Sequence, residues 1–404
     1  MTQRPTLDDV QRARDLVADV VRHTPMIKSR FLSRTAHGTI SLKAENLQRT
    51  GSFKLRGALN KIASLGPEIR GVVTGSAGNH GLALAYAARE RGLSATIFMP
   101  ERASLAKVAA AREFGADVVL GGRSIDECVV TAKQRADEQN LAFVHPFDDP
   151  AVIAGQGTIG LELLEDVPDL ARVVVPIGGG GLASGIATAV KAGREGVDVI
   201  GVQAQACAPV PGSLRQGKPV EVAGGSTLAD GIAVKRPGEI TLPLLESLVD
   251  EVVEVGEEPI AEAIVLLLER TKLVVEGAGA VGVAAVVEGA VSPAPSGTTA
   301  VILSGGNIDI GVLGDIARHH ETVTGRRLRV FTTIPDEPGS LAALLTRLGE
   351  GGANLIDVDH VREGVGLSVG ETGVELVMET RGPDHAKRLL ELISESGYAA
   401  RVLD

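Results

Sequence analysis

Lys54 lies in the run Thr50-Gly-Ser-Phe-Lys-Leu-Arg-Gly57, and three later segments carry groups that a lysine-held aldehyde would need: Ser76-Ala-Gly-Asn-His-Gly81, Gly178-Gly-Gly-Gly-Leu182 and Ser304-Gly-Gly-Asn307. An aromatic aldehyde phosphate requires an amine for its aldehyde, an anion nest for its phosphate and a polar partner for its ring nitrogen. It also requires a pocket for the carboxylate of the substrate it activates. No single segment specifies this chemistry. Gly178 to Gly181 have no side chains to obstruct a close backbone approach, and their amides together with a following helix N-terminus suit a phosphate. A flexible turn or a dinucleotide loop is the alternative, although the contiguous glycines depart from the G-x-G-x-x-G spacing. Ser76 to His80 offer amides and a hydroxyl for a carboxylate, with Asn79 able to reach a ring oxygen. The alternative is a helix cap. His80 is assigned no acid or base role.

These residues need elements to place them. Gly71-Thr74, Ala95-Phe98, Asp117-Leu120 and Leu141-Val144 are short β-rich runs separated by helical stretches, a βαβ series that predicts a parallel sheet. A second series begins at Arg172-Val175 and continues through Val199-Val202, a helical stretch at Ile260-Leu273, and Ala300-Leu303. Two α/β lobes with a cleft between them follow. The glycine run and the Ser76 loop each fall between a strand and a helix, and Ser304 ends a strand, where an open parallel sheet meets its ligand. Beyond Gly325 the order is strand (Arg327-Thr333), turn (Pro335-Gly339), helix (Ser340-Leu348), strands near Asn354-Val361 and Val374-Glu379, helix (Pro383-Ser396) and a short strand. This is the βαββαβ ferredoxin-like order. The boundary is expected within His319-Arg326, giving a catalytic region over 1–322, with a small lobe at about 46–150 inserted in the large one, and a C-terminal domain over 326–404.

The chain has 404 residues, 44% of them apolar, enough for more than one core. Its formal charge of −11 works against nonspecific nucleic-acid binding and favours a small-molecule partner. Cys128 and Cys207 have neither CxxC nor metal-ligand spacing, so reduced thiols are expected. Met1 to Asp15 is polar, and no apolar run is long enough for a signal or a membrane span, so a cytoplasmic location is expected.

Taken together, Ser52-Phe-Lys-Leu-Arg-Gly57, Asn79, Gly178-Leu182 and Ser304 resemble the fold-type II pyridoxal phosphate enzymes, most closely their threonine/serine dehydratase branch. The resemblance runs from Asp8 to Asp315. It implies a two-lobed, tryptophan synthase β-like α/β fold with pyridoxal 5'-phosphate as cofactor. Lys54 would be the linkage and base, and Phe53 would lie beside the ring. Asn79 would contact the ring oxygen, Gly178, Gly179, Gly180, Gly181 and Leu182 the phosphate, and Ser304 the ring nitrogen. Gly231, in Ala229-Asp-Gly-Ile232, would make a backbone contact, and Ser76, Ala77, Gly78, Asn79 and His80 would form the substrate side. The implied reaction is elimination of water from L-threonine, and from L-serine, giving a 2-oxo acid and ammonia.

Related racemases carry a serine where this chain has Ala77, which argues against efficient racemisation. Some relatives bind a divalent ion at the segment matching Gln203-Ala-Gln-Ala-Cys207, which here has no carboxylate, so no metal site is expected there; a monovalent ion held by carbonyls stays open. The C-terminal unit resembles an ACT domain. Asp336, Gly339 and Asn354 are the residues implied for an amino-acid effector, and a homodimer or homotetramer is expected. Serine racemase, 3-hydroxyaspartate ammonia-lyase and a catalytically silent amino-acid sensor are the alternative functions.

Overall fold

The computed structural model describes residues 4–362 and 367–403. Two compact units emerge, Met1–Asp309 and Ile310–Asp404. In the first unit the strands are β1 (Met26–Lys28), β2 (Thr39–Ala44), β3 (Gly71–Gly75), β4 (Ser94–Met99), β5 (Asp117–Leu120), β6 (Ala142–Phe143), β7 (Leu170–Pro176), β8 (Asp198–Ala204), β9 (Glu251–Val255) and β10 (Thr298–Leu303). They form two sheets. The larger runs β1-β2-β10-β7-β8-β9 and is parallel except for the β1–β2 pair; the smaller runs β5-β4-β3-β6 and is parallel throughout. Its strands lie between β2 and β7 in the chain, so the small lobe is an insertion.

Burial explains the strand composition. A parallel sheet covered by helices on both faces has no solvent side, so its strands read as continuous apolar runs rather than alternating ones. Val173, Val174 and Val175 are each 0% exposed, as are Ala300, Val301, Ile302 and Leu303. The large-lobe core gathers these strands with Leu182, Ile186 and Val190 of the helix Gly181–Gly193. The small-lobe core joins Val72 and Ile97 to Leu55 and Leu59 of the helix Lys54–Ala63 and to the alanine-rich helix Asn79–Glu90. Small residues set helix spacing here: a Cβ on Gly185 would overlap the Ile153 carbonyl oxygen of the helix Pro150–Asp166.

One helix departs from the sequence expectation. The stretch expected to be helical over Ile260-Leu273 is an α-helix at Glu257–Leu266 that widens into a π turn at Leu267–Thr271 and ends at Lys272, whose φ is +62°. Thr271 Oγ1 donates to the Leu267 carbonyl at 2.6 Å, satisfying an acceptor in the widened turn.

The second unit contains β11 (Arg327–Pro335), β12 (Asn354–Val361), β13 (Glu371–Glu379) and β14 (Ala400–Val402) in the antiparallel order β12-β13-β11-β14. The helices Ser340–Glu350 and Pro383–Glu395 complete the βαββαβ arrangement. Alternate residues of β11 (Leu328, Val330, Ile334) are buried against Leu344, Leu348, Leu389 and Ile393. The contact boundary falls at Asp309/Ile310, ahead of the helix Ile310–Val323, whereas the sequence reading put it at His319–Arg326. That helix packs on β11, and a sequence pattern cannot reveal to which neighbour a helix adheres.

Candidate active site

The order of the larger sheet fixes where a cleft opens. From the adjacent strands β7 and β10 the chain builds outward in both directions, and the loops leaving their carboxyl ends part over a crevice. The glycine run follows β7 and Ser304 follows β10. A pocket lies there, lined by Lys54, Asn79, Gly178 to Leu182, Gly231, Glu276 and Ser304. Every cofactor residue expected from the sequence, Phe53 included, is in this one lining.

Lys54 starts its helix, and its Nζ donates to the Pro146 carbonyl at 2.8 Å; the ammonium is 5.1 Å from the centre of the Phe53 ring. Burial pushes its pKa down to about 8, with the Glu276 carboxylate pulling the other way. Two residues on, Arg56, itself 0% exposed, points away from the cleft into a largely buried ionic cluster. Its guanidinium donates to Glu45 at 2.7 and 2.9 Å and to Glu162 at 2.6 and 3.0 Å. Lys43 Nζ closes the cluster at 2.7 Å from Glu162 and 3.1 Å from Asp166. Despite desolvation, the adjacent Arg56 and Lys43 charges hold the Glu162 carboxyl below its usual value. The cluster anchors the helix that carries Lys54.

The glycine loop is shaped by what presses on it. Gly180 has φ +101°, and a Cβ on Gly179 would overlap the Phe147 ring. Gly181 then opens the helix Gly181–Gly193, so backbone amides and a helix N-terminus meet at a surface clear of side chains. Phe147 belongs to the return segment from the small lobe. Asp148 beside it accepts from the amides of Glu239, Ile240 and Thr241 at 2.9–3.2 Å, and Asp149 caps the helix Pro150–Asp166 while pairing with Lys61 at 2.6 Å. His145 Nδ1 accepts the Asp148 amide at 2.8 Å, which requires an unprotonated nitrogen; burial brings its pKa down to about 4.

Of the expected substrate segment only Asn79 is in that lining; Ser76 Oγ accepts the amides of Gly78 and Gly81 at 3.3 and 3.2 Å, so this serine does secure the turn into the helix Asn79–Glu90, as the capping alternative had it. Its hydroxyl proton is still available to a ligand. Ala77 and Gly78 are half-buried beside it. His80 is buried with Nε2 3.0 Å from the Val144 carbonyl, and burial lowers its pKa to about 3, so it is a neutral packing residue. Ser304 is buried, with its Oγ 3.4 Å from the Ala278 carbonyl, and Gly231 sits in a short 3₁₀ turn at the rim.

Sequence reasoning missed three groups. Pro146 receives the lysine through a backbone carbonyl, which leaves no trace in residue type. Asn307 and Glu276 lie against Asn79, at 2.7 and 2.6 Å. Burial and the neighbouring Asp230 push the Glu276 pKa up to about 7. Asn307 stood within a quoted motif, whereas Glu276 precedes a bland Gly/Ala/Val helix and nothing marked it.

These residues fit a phosphorylated pyridine aldehyde. The amine is largely desolvated and pairs with no carboxylate among the described residues, the loop would reject a Cβ, and a hydroxyl rather than an acid or a guanidinium faces from the end of β10. Among the described residues, no group of three His, Cys, Asp or Glu is arranged to hold a metal ion, and no helix is long and apolar enough to cross a membrane.

In the second unit a pocket is lined by Pro335, Asp336, Pro338, His360, Arg362 and Thr372, and Arg362 donates to Asp336 at 3.3 Å. Gly339, with φ +95°, caps the helix Ser340–Glu350 beside the turn. Asn354 is not brought there within the chain. It pairs with Glu379 at 2.7 Å, level with Arg327 rather than Pro335, about 26 Å along the sheet.

The family described as "Pyridoxal-phosphate dependent enzyme" matches residues 17–305. An L-threonine ammonia-lyase of Geobacter sulfurreducens is 47% identical over 396 residues, 98% of each chain. Among solved structures, the threonine deaminase of T.th. is 43% identical with a TM-score of 0.72, covering 76% of this chain and 99% of its own. Maize serine racemase is 33% identical with a TM-score of 0.75, covering 80% and 99%.

Proposed function

Because the chain belongs to the pyridoxal-phosphate dependent enzymes, we propose a division of labour among its own residues for the reaction it carries out, deamination of L-threonine to 2-oxobutanoate and ammonia. The single observation that carries the assignment of residues is the position of Lys54: a desolvated amine resting on a carbonyl, across a cleft from a glycine loop and a strand-end serine. The bound cofactor supplies an electron sink for the charge left at the substrate Cα when its proton is removed.

Lys54 would hold the cofactor's aldehyde, and its amine is the group placed to take the substrate α-proton. With a pKa near 8 a useful fraction of the amine is neutral at physiological pH. The amides of Gly178 to Gly181 and Leu182 would bind the phosphate, Ser304 Oγ would pair with the ring nitrogen, Phe53 would border the ring, Asn79 would hold the ring oxygen and Gly231 would contribute a backbone contact. A hydroxyl leaves the ring nitrogen largely unprotonated and limits electron withdrawal, which favours prompt loss of the β-hydroxyl. The Ser76 to His80 segment binds the substrate carboxylate through backbone amides and the Ser76 hydroxyl. Ala77 presents a methyl group that cannot deliver a proton to the opposite face of Cα, so elimination prevails over racemisation. L-Serine, which lacks only the γ-methyl, is the second substrate.

The C-terminal unit is an ACT domain that senses an amino acid at the pocket beside Asp336 and Gly339, with isoleucine and valine the first candidates. The enzyme works as a homodimer or homotetramer in the cytoplasm.

The test is product analysis on the purified, cofactor-loaded protein with L-threonine, L-serine and 3-hydroxyaspartate. Rapid 2-oxobutanoate and ammonia from threonine, with D-serine formation at least tenfold slower than elimination, is the expected result. Faster turnover of 3-hydroxyaspartate, or racemisation at the rate of elimination, overturns the substrate assignment. Comparing threonine rate curves with and without each branched-chain amino acid, for the full chain and for a truncation lacking 324–404, tests the sensing role.

A further inference from the structure

Asn79 is gripped on both sides of its amide by groups with little freedom of their own. The Thr50 carbonyl can only accept, and Asn307 Nδ2 donates to it at 2.8 Å. This fixes which end of the Asn307 amide faces inward, and the second N–H of the same nitrogen reaches Asn79 Oδ1 at 2.7 Å. On the other side Asn79 Nδ2 donates to Glu276 Oε1 at 2.6 Å. Reversing the Asn79 amide would set its NH₂ against the NH₂ of Asn307 and, whenever Glu276 is ionised, its oxygen against that carboxylate, repulsive contacts in a place with little water to relieve them.

The grip is built from separate parts of the chain. Asn307 follows β10, Glu276 immediately precedes the helix Gly277–Val287, and Thr50 opens the Lys54 motif. Gly51, with φ +73°, makes room, because a Cβ there would overlap Asn307 Oδ1. The Gly306 amide ties the same turn to the Gly51 carbonyl at 2.9 Å. Asn79 Nδ2 carries two hydrogens and spends one on Glu276. One is left.

We infer that Asn307 and Glu276 are positioning residues that lock the Asn79 amide in a single orientation, so that its remaining N–H is always offered to the cofactor's ring oxygen. The inference rests on the reading of Asn79 given above. It extends that reading to two residues that do not themselves touch the ring oxygen.

The test uses the holoenzyme and three readouts: the dissociation constant of pyridoxal phosphate by equilibrium dialysis, the visible absorbance maximum of the bound cofactor, and the melting temperature. Asn79→Ala, Asn307→Ala and the double variant form a cycle. Asn307→Ala should raise the dissociation constant about tenfold and move the absorbance maximum in the same direction as Asn79→Ala. In the Asn79→Ala background it should add less than about twofold, since the group it acts through is gone. A purely structural asparagine would lower the melting temperature equally in both backgrounds and leave the absorbance in place, and that result overturns the inference.

If Asn79→Ala itself changes neither dissociation constant nor absorbance, the reading of Asn79 falls and the grip falls with it. If Asn79→Ala changes both and Asn307→Ala neither, the reading stands and the inference alone is refuted. A second arm approaches from the other side. Glu276→Gln keeps an acceptor and should retain cofactor affinity within about threefold, whereas Glu276→Leu should resemble Asn79→Ala; equal affinities in the two variants refute the role of Glu276.

Discussion

The capture of cofactor by the empty enzyme should report the environment of Lys54 directly. With a pKa near 8, about 9% of the Lys54 amine is neutral at pH 7, against about 0.03% for a lysine at 10.5, a gain of ~300-fold in reactive amine. The perturbation is pH itself, followed by Glu276→Gln. Cofactor-free protein is mixed with pyridoxal phosphate between pH 6 and 10.5 and capture is followed by absorbance. Dividing by the rate of a free lysine analogue removes the cofactor's own titration. Borohydride reduction and peptide mapping confirm that Lys54 is the residue modified. With the cofactor's titration removed, the Lys54 rate should rise about tenfold per pH unit up to pH 8 and then level, so its ratio to the analogue should be flat below pH 8 and fall above it. Glu276 favours the ammonium of Lys54, so its replacement by glutamine should move the bend to lower pH. A rate that keeps climbing tenfold per unit through pH 10, or a bend that moves upward in Glu276→Gln, refutes the reasoning.

Other consequences can be measured independently. Gly179→Ala drives a methyl group into the Phe147 ring and should weaken cofactor binding at least about tenfold, whereas Gly121→Ala, which meets no atom within 4 Å, should not; dialysis of both variants checks this. Arg56→Met leaves Glu45 and Glu162 buried without their shared cation and should cost about 3–5 kcal/mol in denaturant unfolding, part of which Glu45→Gln should restore in the same chain. His145 is held neutral, so its contribution is complete above pH 6.5 and is lost as pH falls towards 4, amounting to about 2 kcal/mol by pH 5. Glu276, whose pKa is raised, gains stability over the same interval, so the quantity to compare is the difference between wild type and His145→Asn, which should shrink from pH 7 to pH 5 by that amount.

Sequence resolved most of the strands and the cofactor side of the cleft, for a physical reason. Parallel strands buried on both faces must be apolar throughout, and a loop approached closely by a ligand must be glycine, so both leave marks in residue type. The strands through Val173 to Val175 and Ala300 to Leu303 were legible on these grounds, whereas the C-terminal strand β11 shows in the alternation of Leu328, Val330 and Ile334. The π turn at Leu267–Thr271 was not, because its helix keeps an ordinary apolar pattern while its hydrogen bonding changes. The Pro146 carbonyl was hidden since every residue has one. Ser76 was legible as a loop serine, but only the folded chain shows its oxygen engaged with Gly78 and Gly81. Asp336 and Asn354 are both polar residues near strand ends, and strand register alone reveals that they lie at opposite ends of the sheet.

The ionic cluster behind Lys54 also constrains how the enzyme can change over generations. Lys43, Glu45, Arg56 and Glu162 come from a strand, a short turn and two helices, yet each balances another's charge where little water reaches. Losing Arg56 takes the cation from both Glu45 and Glu162, and losing any other member thins the charge balance of those that stay, so single substitutions are selected against even though none of the four lines the cofactor pocket. A lineage could exchange the cluster for apolar residues only by several changes at once. The helix presenting the lysine therefore drifts less readily than its distance from the substrate suggests, and the loops above the cleft are left as the freer ground on which substrate preference can diverge.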